Sequence, residues 1–383
     1  MPLFPARARI ELRQLRRPAN NRLEAVVLAG GRRQLIWLET DGLPVPLSAD
    51  AFLPILVPAA MASGLPLRID APVSAEVVVA AHRVSHVLAS WHPHWSELEL
   101  ETSAESASPA ISSEPGWGGA FFSGGLDSFR TFQIFRGQLK YLLFVHGFDI
   151  LLTEHAKADL VRSSLLRVAA DTGVSLLILR TNLRAFSDRW VSWEQHQCGG
   201  ALAAMALLLS PHLSRVIIPS SYSLPFLSPF GSHPGLESLW SIPGLELCHD
   251  TIVEDRVSKA VAIAPWTLAR QHLRVCWQPN RPQLNCCCCR KCLATQAVLR
   301  GFCAEYDWPT FAEPLDLQSL TRVQIVSSAM LNRFFVLRDH LITTGRDPEL
   351  LAAVDQLLVR QGRRHPAKAL RHLAVRGLAC LRA

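Results

Sequence analysis

Residues 121–129 read Phe121-Phe122-Ser123-Gly124-Gly125-Leu126-Asp127-Ser128-Phe129, and the fold turns on this stretch. The apolar run 117–122 has the length and composition of a buried strand. From Ser128 onward, Phe129, Phe132, Ile134 and Phe135 recur among polar residues at helical spacing. The two glycines therefore sit at a strand-to-helix turn, where they free the backbone and let a ligand approach the main chain. The unpaired N–H groups and dipole of the following helix favour an anion there. Ser123 and Ser128 add hydroxyl donors. Asp127 is the odd member, because a carboxylate repels phosphate unless a cation lies between them. A Mg²⁺ bridge to a polyphosphate reconciles the two. The plainer alternative is a glycine-rich turn capped by Ser and Asp. Against it, the five fixed positions of S-G-G-x-D-S arise by chance about once in a million windows.

Outward from this turn the pattern alternates. Apolar runs at 117–122, 141–145, 175–179, 215–219 and 273–277 read as strands, and stretches at 128–136, 155–172, 199–209 and 254–264 read as helices. This predicts an α/β fold: a five-stranded parallel sheet with helices on both faces. Ligands in such sheets bind at the carboxyl ends of the strands. That rule nominates His146 and Asp149, then Thr181 and Asn182 followed by Glu194, then Ser220 and Ser221 leading to His233 and Glu237. Each alone has a plain alternative as a locally satisfied loop residue. The stretch 220–250 is long and rich in Pro, Ser and aromatics, as functional loops often are; it is expected to receive the acceptor substrate. Arg256 and Lys259 lie three apart on one helix face and suit an anion or a solvated face.

The whole chain has 383 residues, 49% hydrophobic and 19% charged, enough for two or three packed domains. No apolar run reaches the length of a membrane span. The first residues lack the apolar core of a signal peptide, so a cytoplasmic protein with reduced cysteines is expected. Residues 1–100 read as a small α+β domain for substrate gating or self-association into a homo-oligomer. A hairpin is expected at Gly30-Gly31. His92-x-His94 is either half of a metal site or a pair of loop residues near an aromatic anchor. Residues 101–116, rich in Ser, Ala, Pro and Glu, form a linker. The nucleotide-type domain then covers 117–280, and 281–383 holds a cysteine knot, further helices and a basic tail. Seven of the 39 basic residues fall in 356–383 with no acid among them, and the remainder balances the 32 acidic residues. The net charge of +7 is thus a property of the tail. Packing on the body is the favoured role for that tail, ahead of nucleic acid or a membrane surface.

Six of the ten cysteines fall in 276–292. Cys276, Cys286, Cys289 and Cys292 have the spacing C-x9-C-x2-C-x2-C, which fits a closed four-thiolate zinc site of structural type. Cys287 and Cys288 would point away, although either could replace a neighbour; an iron–sulfur centre or unliganded thiols are the other readings.

The S-G-G-x-D-S turn resembles the pyrophosphate loop of the PP-loop ATP pyrophosphatase superfamily; no Gly-Lys-[Ser/Thr] follows it, as a Walker A loop would require. With the cysteine knot downstream, residues 117–300 look like those of the 7-cyano-7-deazaguanine synthases. The resemblance implies that Ser123, Gly124, Gly125, Leu126, Asp127 and Ser128 hold ATP with Mg²⁺, with His146 beside them. It implies that Asp127, Ser128, Arg256 and Lys259 serve the chemistry, and that Asp149, Glu194, His233 and Glu237 meet the acceptor. A carboxylate of a small molecule or peptide would be adenylated with release of pyrophosphate, and ammonia or an amine would form an amide or nitrile. Two departures set the chain apart. About 115 residues precede the loop, and His146-Gly147-Phe148-Asp149 stands where those synthases tend to carry Tyr-Gly-Gln. The acid is therefore expected to differ from the deazaguanine. A tRNA sulfurtransferase of the same superfamily, using Cys198 or Cys248, and a non-catalytic nucleotide-binding protein are the rival readings.

Overall fold

The computed structural model describes residues 8–106, 118–250, 252–279 and 283–364. Its frame is one ten-stranded sheet rather than a five-stranded one. The strands are β1 (Ile10–Ala19), β2 (Arg22–Ala29), β3 (Arg32–Thr40), β4 (Leu67–Ser74), β5 (Leu100–Ser106), β6 (Gly118–Phe121), β7 (Leu139–His146), β8 (Ser175–Thr181), β9 (Arg215–Ile218) and β10 (Glu246–His249). Their order is β10-β9-β6-β7-β8-β3-β2-β1-β4-β5. The expected strand at 273–277 is absent: that stretch pairs with no strand, and the fifth parallel strand is β10, beside β9. Sequence pattern missed β10 because its four residues alternate Glu, Leu, Cys and His, too short a run to signal.

β6, β7, β8, β9 and β10 are mutually parallel. From β6 the chain winds through β7 to β8, then crosses back to β9 on the other side. The order reverses between β6 and β9, so the switch point lies at the carboxyl end of β6, where the glycine turn begins. Opposite cores cover the two faces. One holds Phe122, Phe129, Phe132, Val161 and Leu165 under the helices Leu126–Phe135, His155–Thr172 and Arg256–Ile263. The other holds Leu143, Val145, Leu177 and Leu179 with the helix Cys198–Leu208, and runs on beneath β1–β4.

β1, β2 and β3 form an antiparallel meander whose β2–β3 turn is Gly30-Gly31, both at positive φ (57° and 72°) as the sequence led one to expect. β4 and β5 extend it in parallel beyond β1. The meander joins the parallel half edge to edge: β3 runs antiparallel to β8, pairing Leu38 with Thr181 and Thr40 with Leu179. Thr181 and Asn182, expected at the cleft, instead lace this seam. Thr181 Oγ1 donates to the Trp37 carbonyl (2.8 Å), Asn182 Oδ1 accepts from Trp37 N (2.9 Å), and Asn182 Nδ2 donates to the Leu35 carbonyl (2.8 Å). The helices Leu53–Ser63 and Ala75–Trp91 cover one face of this half. The other face carries ion pairs: Glu11 with Arg9, Arg13 and Arg68, Glu24 with Arg16 and Arg22, and Glu39 with Arg22 and Arg180. The helices Arg290–Phe302, Ser328–Thr344 and Pro348–Arg364 pack on a third core around Phe334, Leu337 and Val354. The first six residues of the expected linker, 101–106, belong to β5 instead; its remainder, 107–116, with residue 117 and the basic tail from 365, lies outside the described residues. Among the described residues no helix is long and apolar enough to cross a membrane.

Candidate functional site

The turn after β6 is built on one left-handed residue. Gly124 has φ +73°, and a Cβ there would stand 3.2 Å from Leu165 Cδ2, so only glycine sits without strain. Gly125 is the N-cap of the helix Leu126–Phe135. The two hydroxyls close the turn on itself. Gly125 N donates to Ser123 Oγ (3.3 Å), and Ser128 Oγ donates to the Gly125 carbonyl (2.9 Å). Ser128 is buried. Its hydroxyl shapes the loop through the Gly125 carbonyl.

A cleft opens over the turn. Ser123, Gly125, Leu126 and Asp127 form its floor, with Asp149, Ser221, Arg256, Arg274, Trp277, Lys291 and Arg333 around it. Four cations thus face two carboxylates. Asp127 is taken by Arg256, whose Nη2 donates at 2.8 Å and Nε at 3.1 Å, and by Lys259 Nζ at 3.4 Å. Burial works against the Asp127 charge, but Arg256 and Lys259 outweigh it and hold the carboxyl below the usual range. Lys259 is buried and also donates to the Ser220 carbonyl. The other three cations lack an ion-pair partner among the described residues. Burial lowers the pKa of Arg274 and of Lys291, and burial plus the nearby Arg256 push Arg333 down to about 10. Arg333 Nε is buried without a hydrogen-bond partner. Buried cations left without a counter-charge are a standing attraction for an anion.

Arg274 was not legible in the sequence, and it is the strap of the site. Its backbone N donates to the Gly124 carbonyl (2.7 Å), its Nε to the Ser123 carbonyl (3.1 Å), and its Nη1 to the Cys276 carbonyl (3.1 Å). It ties the glycine turn to the cysteine knot two residues on. Asn285 fixes the other end. Its Oδ1 accepts from Val275 N (2.8 Å) and Cys276 N (3.2 Å), and its Nδ2 donates to the Leu273 carbonyl (2.8 Å).

The four cysteines converge as the spacing led one to expect. The sulfurs of Cys276, Cys286, Cys289 and Cys292 all lie within 4.8 Å of one another, and no other such cluster of metal-ligating side chains occurs among the described residues. A tetrahedral zinc with Zn–S near 2.3 Å requires sulfurs about 3.8 Å apart. Cys286 and Cys292 stand at 3.8 Å, and Cys276 and Cys289 at 4.0 Å. Backbone amides of Gln278, Cys289 and Cys292 donate to the sulfurs of Cys276, Cys286 and Cys289, which suits thiolates. The cluster can hold a metal ion such as zinc.

The remaining nominated residues differ in where they lie. Asp149 lines it, exposed. His146 lies at the end of β7, where its Nε2 pairs with the Leu151 carbonyl (3.1 Å). Glu194 is exposed on the turn Trp193–Gln197, and its carbonyl accepts from Gly231 N. Glu237 is wholly buried: Oε2 accepts from His233 N (2.7 Å), and Oε1 lies 3.4 Å from His249 Nε2. His233 caps its own short helix through Gly235 N. His233 and Glu237 brace the 220–250 loop from within, whereas the Glu194 side chain is exposed and its carboxylate lies close enough to act on Lys291. His92 stacks on Trp95 and meets His196 edge-on, the aromatic anchor of the plainer reading. No protein-family model matches the chain, nor does any curated protein or solved structure.

Proposed function

We propose that the protein is an ATP-dependent adenylating enzyme of the PP-loop class. The observation that carries this reading is the meeting, at the switch point of the sheet, of a glycine turn, a helix N-terminus and four cations that outnumber their carboxylates. Such a site suits a polyphosphate. The triphosphate lies against Gly124 and Gly125, with Arg274, Lys291 and Arg333 taking its charge. Asp127 is the residue that would hold Mg²⁺, exchanging its contact with Arg256, and the ion would neutralise the phosphates. The substrate carboxylate attacks the α-phosphorus, the bond to the bridging oxygen breaks, and pyrophosphate leaves toward the cations. Ammonia or an amine then displaces AMP. Positioning and charge supply the rate. A structural zinc held by Cys276, Cys286, Cys289 and Cys292 would brace Arg274 through the Cys276 carbonyl, and through it the turn. The sulfur-transfer alternative needs a reactive thiolate, yet burial pushes up the thiols of both Cys198 and Cys248.

Pyrophosphate release from Mg·ATP with ammonia and a panel of carboxylic acids tests the reading. Acid-dependent pyrophosphate that drops by at least about a hundredfold in Asp127→Asn supports it. Inorganic phosphate in its place, or no turnover with any acid at full zinc occupancy, overturns it.

A further inference from the structure

Two of the four consecutive cysteines stand outside the tetrahedral set, and the structure treats them differently. Cys287 is buried with its sulfur 3.7 Å from the Asn285 carbonyl. Its φ is +58°, a left-handed conformation uncommon for a residue with a Cβ. That kink curls the chain so that residue 288 turns back over residue 286. Cys288 does not point away from the knot, as the spacing suggested. It is exposed, and its sulfur lies 3.6 Å from that of Cys286. Cys286 is itself the less protected side of the cluster, because Cys276, Cys289 and Cys292 are buried whereas it is only partly so. A solvent-facing thiol therefore touches the most accessible metal ligand.

We propose that Cys288 and Cys286 are a redox couple through which hydrogen peroxide opens the metal site. The Cys288 thiol takes the terminal peroxide oxygen as a sulfenic acid, and water leaves. The Cys286 thiolate attacks that sulfur, the S–O bond breaks, and the oxygen departs as a second water with one proton from solvent. The two sulfurs together supply the two electrons that the peroxide takes up. Bridging requires the sulfurs to close from 3.6 Å to about 2.05 Å, a movement that one exposed side chain can make. A metal held by the four cysteines would be left with three ligands and would be released. Cys276 is then unpinned, and with it the strap that Arg274 lays across the Gly124 turn. The couple rests on the metal fit of the knot and is independent of the nucleotide reading.

The test uses the full chain loaded with zinc. Its zinc is measured first, then its release under hydrogen peroxide is followed with a metallochromic dye, and the bridge is mapped by peptide mass spectrometry. The wild type should release its zinc with a Cys286–Cys288 disulfide. Cys288→Ser should hold a full equivalent at rest and release it at least about tenfold more slowly, while Cys287→Ser should behave as wild type. Release from Cys288→Ser at the wild-type rate overturns the proposal, as does a disulfide elsewhere. Cys288→Ser lacking zinc at rest also overturns it, by making Cys288 a ligand. A wild-type chain that takes up no zinc removes the metal centre and the couple with it, and is seen before oxidant is added.

Discussion

The two halves of the ten-stranded sheet share a layer of backbone hydrogen bonds but differ in how their strands are connected. Around β6–β10 every strand runs the same way, so each crossover returns the chain to the same edge. The carboxyl ends of β6, β7 and β9, and the helix that starts after β6, meet at one cleft. In the β1–β3 meander the direction alternates, so no edge collects strand ends, and the face opposite the helices is filled by Arg–Glu pairs. The difference teaches that chemistry here follows connectivity rather than core quality. Both halves are well packed, yet it is in the parallel half that the cleft cations Arg274, Lys291 and Arg333 stand without an ion-pair partner among the described residues.

The sharpest way to break the contrast is at the knot. Cys292→Ala removes a buried ligand; bound zinc should fall from one equivalent to below about a tenth, since three thiolates do not close a structural site. Metal analysis checks this, and nucleotide binding should fall with it while the meander keeps its hydrogen-exchange protection. Next comes Arg274→Ala, which takes two guanidinium bonds from the strap. ATP affinity by calorimetry should weaken by about ten- to a hundredfold, with zinc retained. At the seam, Asn182→Ala loses bonds to Trp37 N and the Leu35 carbonyl and should cost about 1–2 kcal/mol in urea unfolding. The smallest effect belongs to the open face. Glu24→Gln should cost about 1 kcal/mol or less and leave nucleotide binding unchanged. Burial raises the Glu24 pKa, but Arg22 and Arg16 more than offset it and hold the carboxyl below the usual range. A depressed folded pKa gives stability that is present above the ordinary carboxylate range and lost as pH falls through the folded value. The gap between wild type and Glu24→Gln in thermal unfolding should therefore close on acidification.

Much of this was legible in the residues, for identifiable reasons. The glycine turn reads because Gly124 must be left-handed, and the hairpin reads because Gly30 and Gly31 must be. The clustered cysteines read because tetrahedral sulfur chemistry imposes spacing. The half-sheet β1–β5 was taken for a separate unit because edge pairing leaves no local trace: Leu38 meets Thr181 across the sheet through backbone groups every residue has. Arg333 was invisible for a similar reason. It is one arginine among many, and only the placing of its helix against the cleft distinguishes it. The internal contacts of His233 and Glu237 were not legible because a polar residue at a loop looks the same whether it faces a ligand or braces the loop.

The β3–β8 seam has a consequence for the order of assembly. Trp37 and Asn182 are 145 positions apart, so during synthesis the meander is complete long before its partner strand exists. Closing so distant a contact is entropically slow. Until β8 arrives, β3 is an open edge of the kind that recruits foreign strands. Pulse-labelled exchange during refolding should find the β2–β3 amides protected before those that β3 shares with β8. If the seam formed first, the meander would not be an independent nucleus.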